Sequence, residues 1–486
     1  MRDFNFITTL NKLEAKYRYY LQKIQSNKWY LIASQHFKDL YDKTVETNSE
    51  LKIQFLQFLP FFVASFLTGF VAYVYSRLFT YSEKLSFFIY EKEPLLVFVV
   101  TPVTFLLSWF MVNRFAKFAK GSGIPQVMAS LESSTPGKKH LIQYLLSIRI
   151  LVVKVLSSFV KVIGGGIAGR EGPTIQIAAS IFNEVYNRLP KWWIPINHKN
   201  ILIAGAASGL SAAFNTPLGG IIFAIEELSK YHIKHYKSTL FIAVIIAGIT
   251  AQGFGGSYLY LGYPKTNYSG WMVYLGIILV AIVTGYFGSK MCQYMLIVIR
   301  YVNKLKNNKQ QMGFVIVSAL FVATFIYFFG TDAMGSGKEI MERTLFSSDK
   351  KVDWYLPFIR MNGLIASFSF GGAGGVFAPS LSSGATFGAL TAQFLHLTGD
   401  NANLLILIGM TSFLSAVTRA PFTASIIIFE MTDKHSIIFF LLLGSLIASM
   451  IASRVEKSSF YDILKENYII AVEKKHEAKL IDANNL

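Results

Sequence analysis

Gly169-Arg170-Glu171-Gly172-Pro173 sets a carboxylate inside a glycine-rich break between two apolar stretches. A carboxylate is expensive to hold at membrane depth, and its default reading there is a site on an ion or proton path. Glycine on either side lets the backbone turn sharply and bring its N–H groups close to a ligand. Pro173 suits the first turn of a new helix. The segment therefore reads as a helix N-terminus, positive end first, that carries its own acid. That is an anion site with a built-in competitor for the anion.

Two further breaks share the pattern: Gly121-Ser122-Gly123-Ile124-Pro125 and Gly374-Gly375-Val376-Phe377-Ala378-Pro379. In each, glycine stands just before a proline able to open a helix, and helix N-termini offer unpaired N–H donors and partial positive charge. A turn or a close helix contact explains any one of them equally well. Three of one kind in one chain point to converging helix ends. Gly164-x-Gly166-x-x-Gly169 matches a dinucleotide fingerprint by letter only, since it lacks the alternation of strand and helix that the motif needs. Gly335-Ser336-Gly337-Lys338 has Glu339 where a phosphate loop needs Ser or Thr, so it reads as a surface or helix-opening turn.

The elements that must position these breaks are membrane helices. Of 486 residues, 53% are hydrophobic and only 15% charged, against about 25% charged in a soluble chain. Uncharged runs recur at 53–76, 94–113, 201–225, 239–264, 266–289, 401–418 and 435–453, several of them reaching the roughly 20 residues that span a bilayer. Segments 175–182 and 377–390 and the run after Pro421 are too short or too glycine-broken to span alone. Broken helices at depth line cavities or are buried in protein, and in transporters they mark the binding site. The formal charge of +18 sits in loops, as at Arg300, Lys304, Lys306 and Lys309 and at Lys138-Lys139. That distribution fits cytoplasmic loops under the positive-inside rule, not a nucleic-acid face. Cys292 is the single cysteine, so neither an internal disulfide nor a cysteine metal cluster is expected. The first 50 residues contain no apolar core of a cleavable signal.

Residues 1–52 read as a cytoplasmic amphipathic helical segment. Residues 53–265 and 266–465 read as two halves of a membrane domain, and 466–486 as a short cytoplasmic tail, too small for a regulatory module. The halves repeat: 205–226 aligns without gaps to 409–430, with Ser211/Ser415, Pro217/Pro421 and Glu226/Glu430 among the identities. Gly169-x-x-x-Pro173 has its counterpart in Gly375-x-x-x-Pro379. Such a repeat puts the site where the halves meet.

The three breaks, with Phe214-Asn215-x-Pro217-Leu218-x-Gly220 leading to Glu226-Glu227, resemble the CLC family of chloride channels and chloride/proton antiporters over about residues 55–465. The resemblance implies an all-α polytopic membrane protein with the CLC fold: two inverted halves of tilted, broken helices, in a homodimer with one pore per subunit. It implies that the Ser122 hydroxyl, the amides of Val376 and Phe377, and the Tyr461 hydroxyl surround a central chloride. Backbone around Gly169, Arg170 and Gly172 would form an outer site, taken either by chloride or by Glu171, the gating glutamate. Lys154 aligns with a family lysine that favours anions near the pore. Snorkelling to an interface or pairing with an acid are the alternatives. Some family members carry an acid near that lysine, where this chain has Met128.

Glu227 decides the subclass, because transporters of the family carry a glutamate there as inner proton relay and channels an uncharged residue. An acid taken out of water holds its proton more readily. The plain alternative is a helix end facing the cytosol. Glu226, matched by Glu430 across the repeat, reads as structural. The expected activity is chloride/proton antiport, with a passive chloride channel as runner-up. Neither the proline in place of Ser122 seen in nitrate-preferring members nor a departure from Gly-Arg-Glu-Gly-Pro occurs, which favours chloride. A membrane enzyme using Glu171 or Glu227 as acid or base needs a second catalytic group, and neither HExxH, a Ser/His/Asp order nor paired aspartates is present. The expectation is no cofactor, no metal and no nucleic acid: chloride, protons, the bilayer and a second copy of the chain are the partners, with both termini cytoplasmic.

Overall fold

A computed structural model describes residues 50–484 apart from 136, 191, 229–236, 257–258 and 306, together with the isolated positions 35 and 39. The amphipathic segment expected over residues 1–52 lies almost wholly outside the described residues. Two compact units are present. Residues 1–60 and 189–195 form one, whose described part is the start of the first helix and a turn carrying Trp192 and Trp193. Residues 61–188 and 196–486 form the other, and they contain the whole site.

Apart from the single turn Ile142–Leu145, the described α-helices are α1 (Glu50–Lys92), α2 (Val97–Phe115), α3 (Ile124–Glu132), α4 (Ile148–Ile163), α5 (Glu171–Asn187), α6 (His198–Phe214), α7 (Pro217–Phe223), α8 (Lys237–Gly255), α9 (Trp271–Lys304), α10 (Asn308–Phe329), α11 (Lys338–Phe346), α12 (Leu356–Ser369), α13 (Phe377–Phe394), α14 (Gly399–Thr418), α15 (Pro421–Thr432), α16 (Ile438–Val455) and α17 (Phe460–Asn484). Among the described residues seven candidate spans are long and apolar enough to cross a membrane. One, 399–418, is 94% buried inside the protein, whereas 238–255 is only 28% buried. A helix apolar on all sides belongs in the centre of a large bundle, and α14 is that centre.

The apolar run 201–225 does not form one span. Asn215 adopts a left-handed conformation (φ 58°) and Pro217 opens a new helix, so α6 stops and α7 starts. The equivalent break recurs at Arg419 (φ 61°) and Pro421, between α14 and α15. Conversely, the span over α10 was not among the uncharged runs read from the sequence.

The repeat is visible in the packing. α5 lies along α6 as α13 lies along α14, and these are the two most extensive helix contacts. Small residues permit both: a Cβ on Gly209 would come within 2.7 Å of the Ala178 side chain, and one on Gly384 within 2.3 Å of the Gly409 carbonyl. The halves also meet reciprocally. Glu226 accepts hydrogen bonds from the amides of Phe422 (3.2 Å) and Thr423 (2.7 Å). Glu430 accepts from those of Leu218 (3.0 Å) and Gly219 (2.7 Å). Each glutamate thus caps the helix that follows the break in the other half. A pair of contacts in which i meets j and j meets i is what a two-fold relation generates. It also bears out the structural reading of Glu226.

The polar tail is a helix. α17 packs against α3, with Leu464, Tyr468 and Val472 buried. Lys465 pairs with Glu132 at 2.5 Å and Lys138 with Glu473 at 2.7 Å.

Candidate functional site

Each glycine break opens a helix as expected. Gly123 (φ 111°) precedes α3, Arg170 precedes α5 and Val376 precedes α13, with Pro125, Pro173 and Pro379 in the respective first turns. The breaks converge because they are hydrogen-bonded to one another. Gly169 and Gly375 exchange both of their backbone bonds, at 2.8 and 2.7 Å. Gly121 donates to the Gly372 carbonyl (2.9 Å) and accepts from the Gly374 amide (3.1 Å). Glycine is required at Gly172, since a Cβ there would lie 2.2 Å from Ser122 Oγ.

Glu171 is fully buried. Its carboxylate packs against Gly169 and in front of the amides of Glu171 itself and Ala378, without closing a hydrogen bond of ordinary geometry to either. The acid therefore lies where the N-termini of α5 and α13 meet. Sequence reasoning named the amides of Val376 and Phe377 and missed that of Ala378; the proline one residue later was the available signal.

On the other side of Gly172 are Ser122 and Tyr461, both buried. Their hydroxyls face each other, yet neither makes a hydrogen bond of ordinary geometry within the protein. The Tyr461 ring stacks on that of Phe377 (centroids 6.5 Å apart, planes at 17°). Burying unpaired hydroxyls costs about 1–3 kcal/mol each, and a small anion accepting from both would remove that penalty. Val376 and Phe377 are buried at the N-terminus of α13. Tyr461 is close enough to both Glu171 and Glu227 to feel their charges. Glu227 is buried, in a π-helical turn over Ala224–Leu228 that follows α7. It is not a solvent-facing helix end.

Two basic residues of the expected site have defined partners. Lys154 neither snorkels nor pairs with an acid: fully buried, it donates to Gln176 Oε1 (2.6 Å) and to the Gly121 carbonyl (3.1 Å), directly behind Ser122. Gln176, one helical turn past Pro173, is the partner the sequence did not reveal. The Arg170 side chain donates to Ser76 and lies 6.0 Å from the Tyr260 ring, in the wall of a cavity that also reaches Glu171. That cavity, of about 380 Å³, carries Glu83, Asp332, Glu339 and Glu342 among Lys84 and Lys338 on its wall. Gly337 and Lys338 open α11 there, so that glycine pair is a helix-opening turn. Among the described residues no group of His, Cys, Asp and Glu could hold a metal.

The chain resembles proteins of known activity along most of its length. Over 394 residues it is 26% identical to the H(+)/Cl(-) exchange transporter ClcA of Klebsiella pneumoniae (strain 342), an alignment covering 79% of this chain and 81% of the relative. The same protein of Klebsiella pneumoniae subsp. pneumoniae matches equally. The fold is shared with the crystal structure of a slow cyanobacterial Cl-/H+ antiporter (TM-score 0.73, 23% identity, 85% of this chain and 98% of that one). It is also shared with a CLC-type fluoride/proton antiporter (TM-score 0.70, 18% identity, 85% and 98%). Two inverted halves of broken helices, as the family resemblance implies, are therefore the architecture. Residues 103–453 match the family described as voltage gated chloride channel, and a match from the second helix to the end of the last apolar span makes this chain a member of that family.

Proposed function

We propose that this multi-pass membrane protein exchanges chloride for protons, and that Glu171 is the element the two ions share. The observation carrying the proposal is a fully buried carboxylate in front of the amides of two helix N-termini. Such amides and helix dipoles favour any anion. A deprotonated Glu171 fills the anion path with its own charge. Protonation cancels the charge that held it there, the side chain leaves, and chloride advances from Ser122, Phe377 and Tyr461. Backbone at Gly169, Arg170 and Gly172 then lines the outer position. Glu227 exchanges protons with the opposite side, and Lys154 adds positive potential behind Ser122.

Antiport is favoured over a passive channel by the buried acid at position 227 and by the similarity to exchange transporters, among which the 26% identical relatives carry that name. The wider reading is a homodimer in a bacterial inner membrane with both termini cytoplasmic, and halves divided near residue 265 in the stretch between α8 and α9.

Reconstituted vesicles holding a chloride gradient test the proposal. Wild type should drive protons uphill. Glu171→Gln should carry chloride with no proton movement, and Glu227→Ala should do the same. Proton pumping retained in Glu171→Gln refutes the assignment, and no pumping by wild type returns the chain to the channel reading.

A further inference from the structure

Lys161 is a second lysine on the anion-facing side of α4. It follows Lys154 by seven residues, two helical turns, so both project from one face. Its side chain runs along Gly166 and ends against Gly374, where a Cβ would stand 2.7 Å from the ammonium nitrogen. It is fully buried and has no hydrogen-bond acceptor. Among the described ion pairs none includes either lysine. The nearest compensation is the Phe370 ring, 5.5 Å away, and a cation over an aromatic face recovers only part of what dehydrating an ammonium costs. Glycine at 374 leaves the room that the ammonium occupies.

Beyond Gly374 lie groups that would hold an anion, and such an anion would be the missing counter-charge. Gly375 follows, hydrogen-bonded to Gly169, and then the amides of Val376 and Phe377 that head α13. We infer that Lys161 sets the affinity of this site for its anion: the transported ion is the counter-ion of a lysine that has none of its own. Lys161 touches no substrate and acts by its charge across the Gly374–Phe377 backbone, so it is a positioning residue that raises affinity for small anions alike. The inference rests on the chloride reading of the site. Gly374 and Phe377 are three residues apart, so the ammonium and an ion at those amides are separated by a distance on the order of 12 Å. At an effective dielectric of about 20, loss of the charge corresponds to about a tenfold weaker affinity.

The test is titration calorimetry of chloride, bromide and nitrate into purified wild type, Lys161→Met and Lys161→Gln, with melting temperatures measured alongside. Wild type binding chloride upholds the site itself; no binding there sinks the underlying reading and not merely this inference. If Lys161 acts by charge, both variants bind all three anions about tenfold more weakly, by a common factor. They also melt no lower than wild type, because removing an unpaired buried charge does not destabilise a fold. Affinity unchanged in both variants overturns the inference. So does a loss restricted to one anion, or one accompanied by a clearly lower melting temperature in both, since either marks a packing role.

Discussion

Glu226 and Glu227 are neighbours in sequence with different tasks, and replacing them separately should divide stability from coupling. Glu226→Ala removes a carboxylate that accepts from two amides at the start of α15 and from the Thr423 hydroxyl (2.7 Å). Losing a helix N-terminal acceptor typically costs about 0.5–2 kcal/mol, and losing its negative charge there about 0.3–1 kcal/mol more. Because Glu226 is solvent-accessible on one side, values at the middle of those ranges apply, about 2 kcal/mol in total. Glu226→Gln keeps an acceptor oxygen and loses only the charge, about 0.5 kcal/mol. Thermal unfolding of the purified protein in detergent should rank wild type above Glu226→Gln and that above Glu226→Ala, and Glu430 variants should repeat the order through α7. Proton pumping per chloride should match wild type in Glu226→Ala and vanish in Glu227→Ala. If Glu226→Ala melts like wild type, or loses coupling while Glu227→Ala keeps it, the division of roles is wrong.

Three further outcomes are expected. Gly172→Ala drives a methyl group into Ser122 Oγ; chloride flux in vesicles should fall at least tenfold while the protein remains folded by size-exclusion profile. Lys154→Met leaves Gln176 Oε1 without its donor and the Gly121 carbonyl with the Gly374 amide alone, so it should weaken chloride binding in calorimetry and also lower the melting temperature, by about 1–3 kcal/mol of stability. Val472→Asp buries an unpaired carboxylate under α17 and should cost about 3 kcal/mol or more, read as a lower melting temperature and greater proteolysis of the α17 segment.

The glycine breaks, their prolines and Glu171 were legible in the sequence because backbone demands fall on single residue types: only glycine tolerates the close approach at Gly172, and proline opens α3, α5 and α13. The break at Asn215 was hidden because a left-handed asparagine leaves hydropathy untouched, so run 201–225 looked continuous. Partnerships across the two-fold relation were equally hidden. The repeat showed Glu226 and Glu430 to be equivalent, but equivalence does not say that each caps the other's helix. Gln176, Ala378 and Lys161 went unread for a related reason: their part in the site depends on which segment is folded against them.

The hydrogen bonds at Gly121–Gly372/Gly374 and Gly169–Gly375 have a mechanical consequence. Four backbone bonds stitch the three glycine breaks into a small β-like knot inside an otherwise helical protein. Glycine segments that would be the loosest parts of the chain are thereby the most constrained at the site. The soft coordinate left is the rotation of one side chain, Glu171, about its own bonds. A device of that kind can change state without moving a helix, so its speed is set by a carboxylate's rotamers and proton supply and not by domain rearrangement.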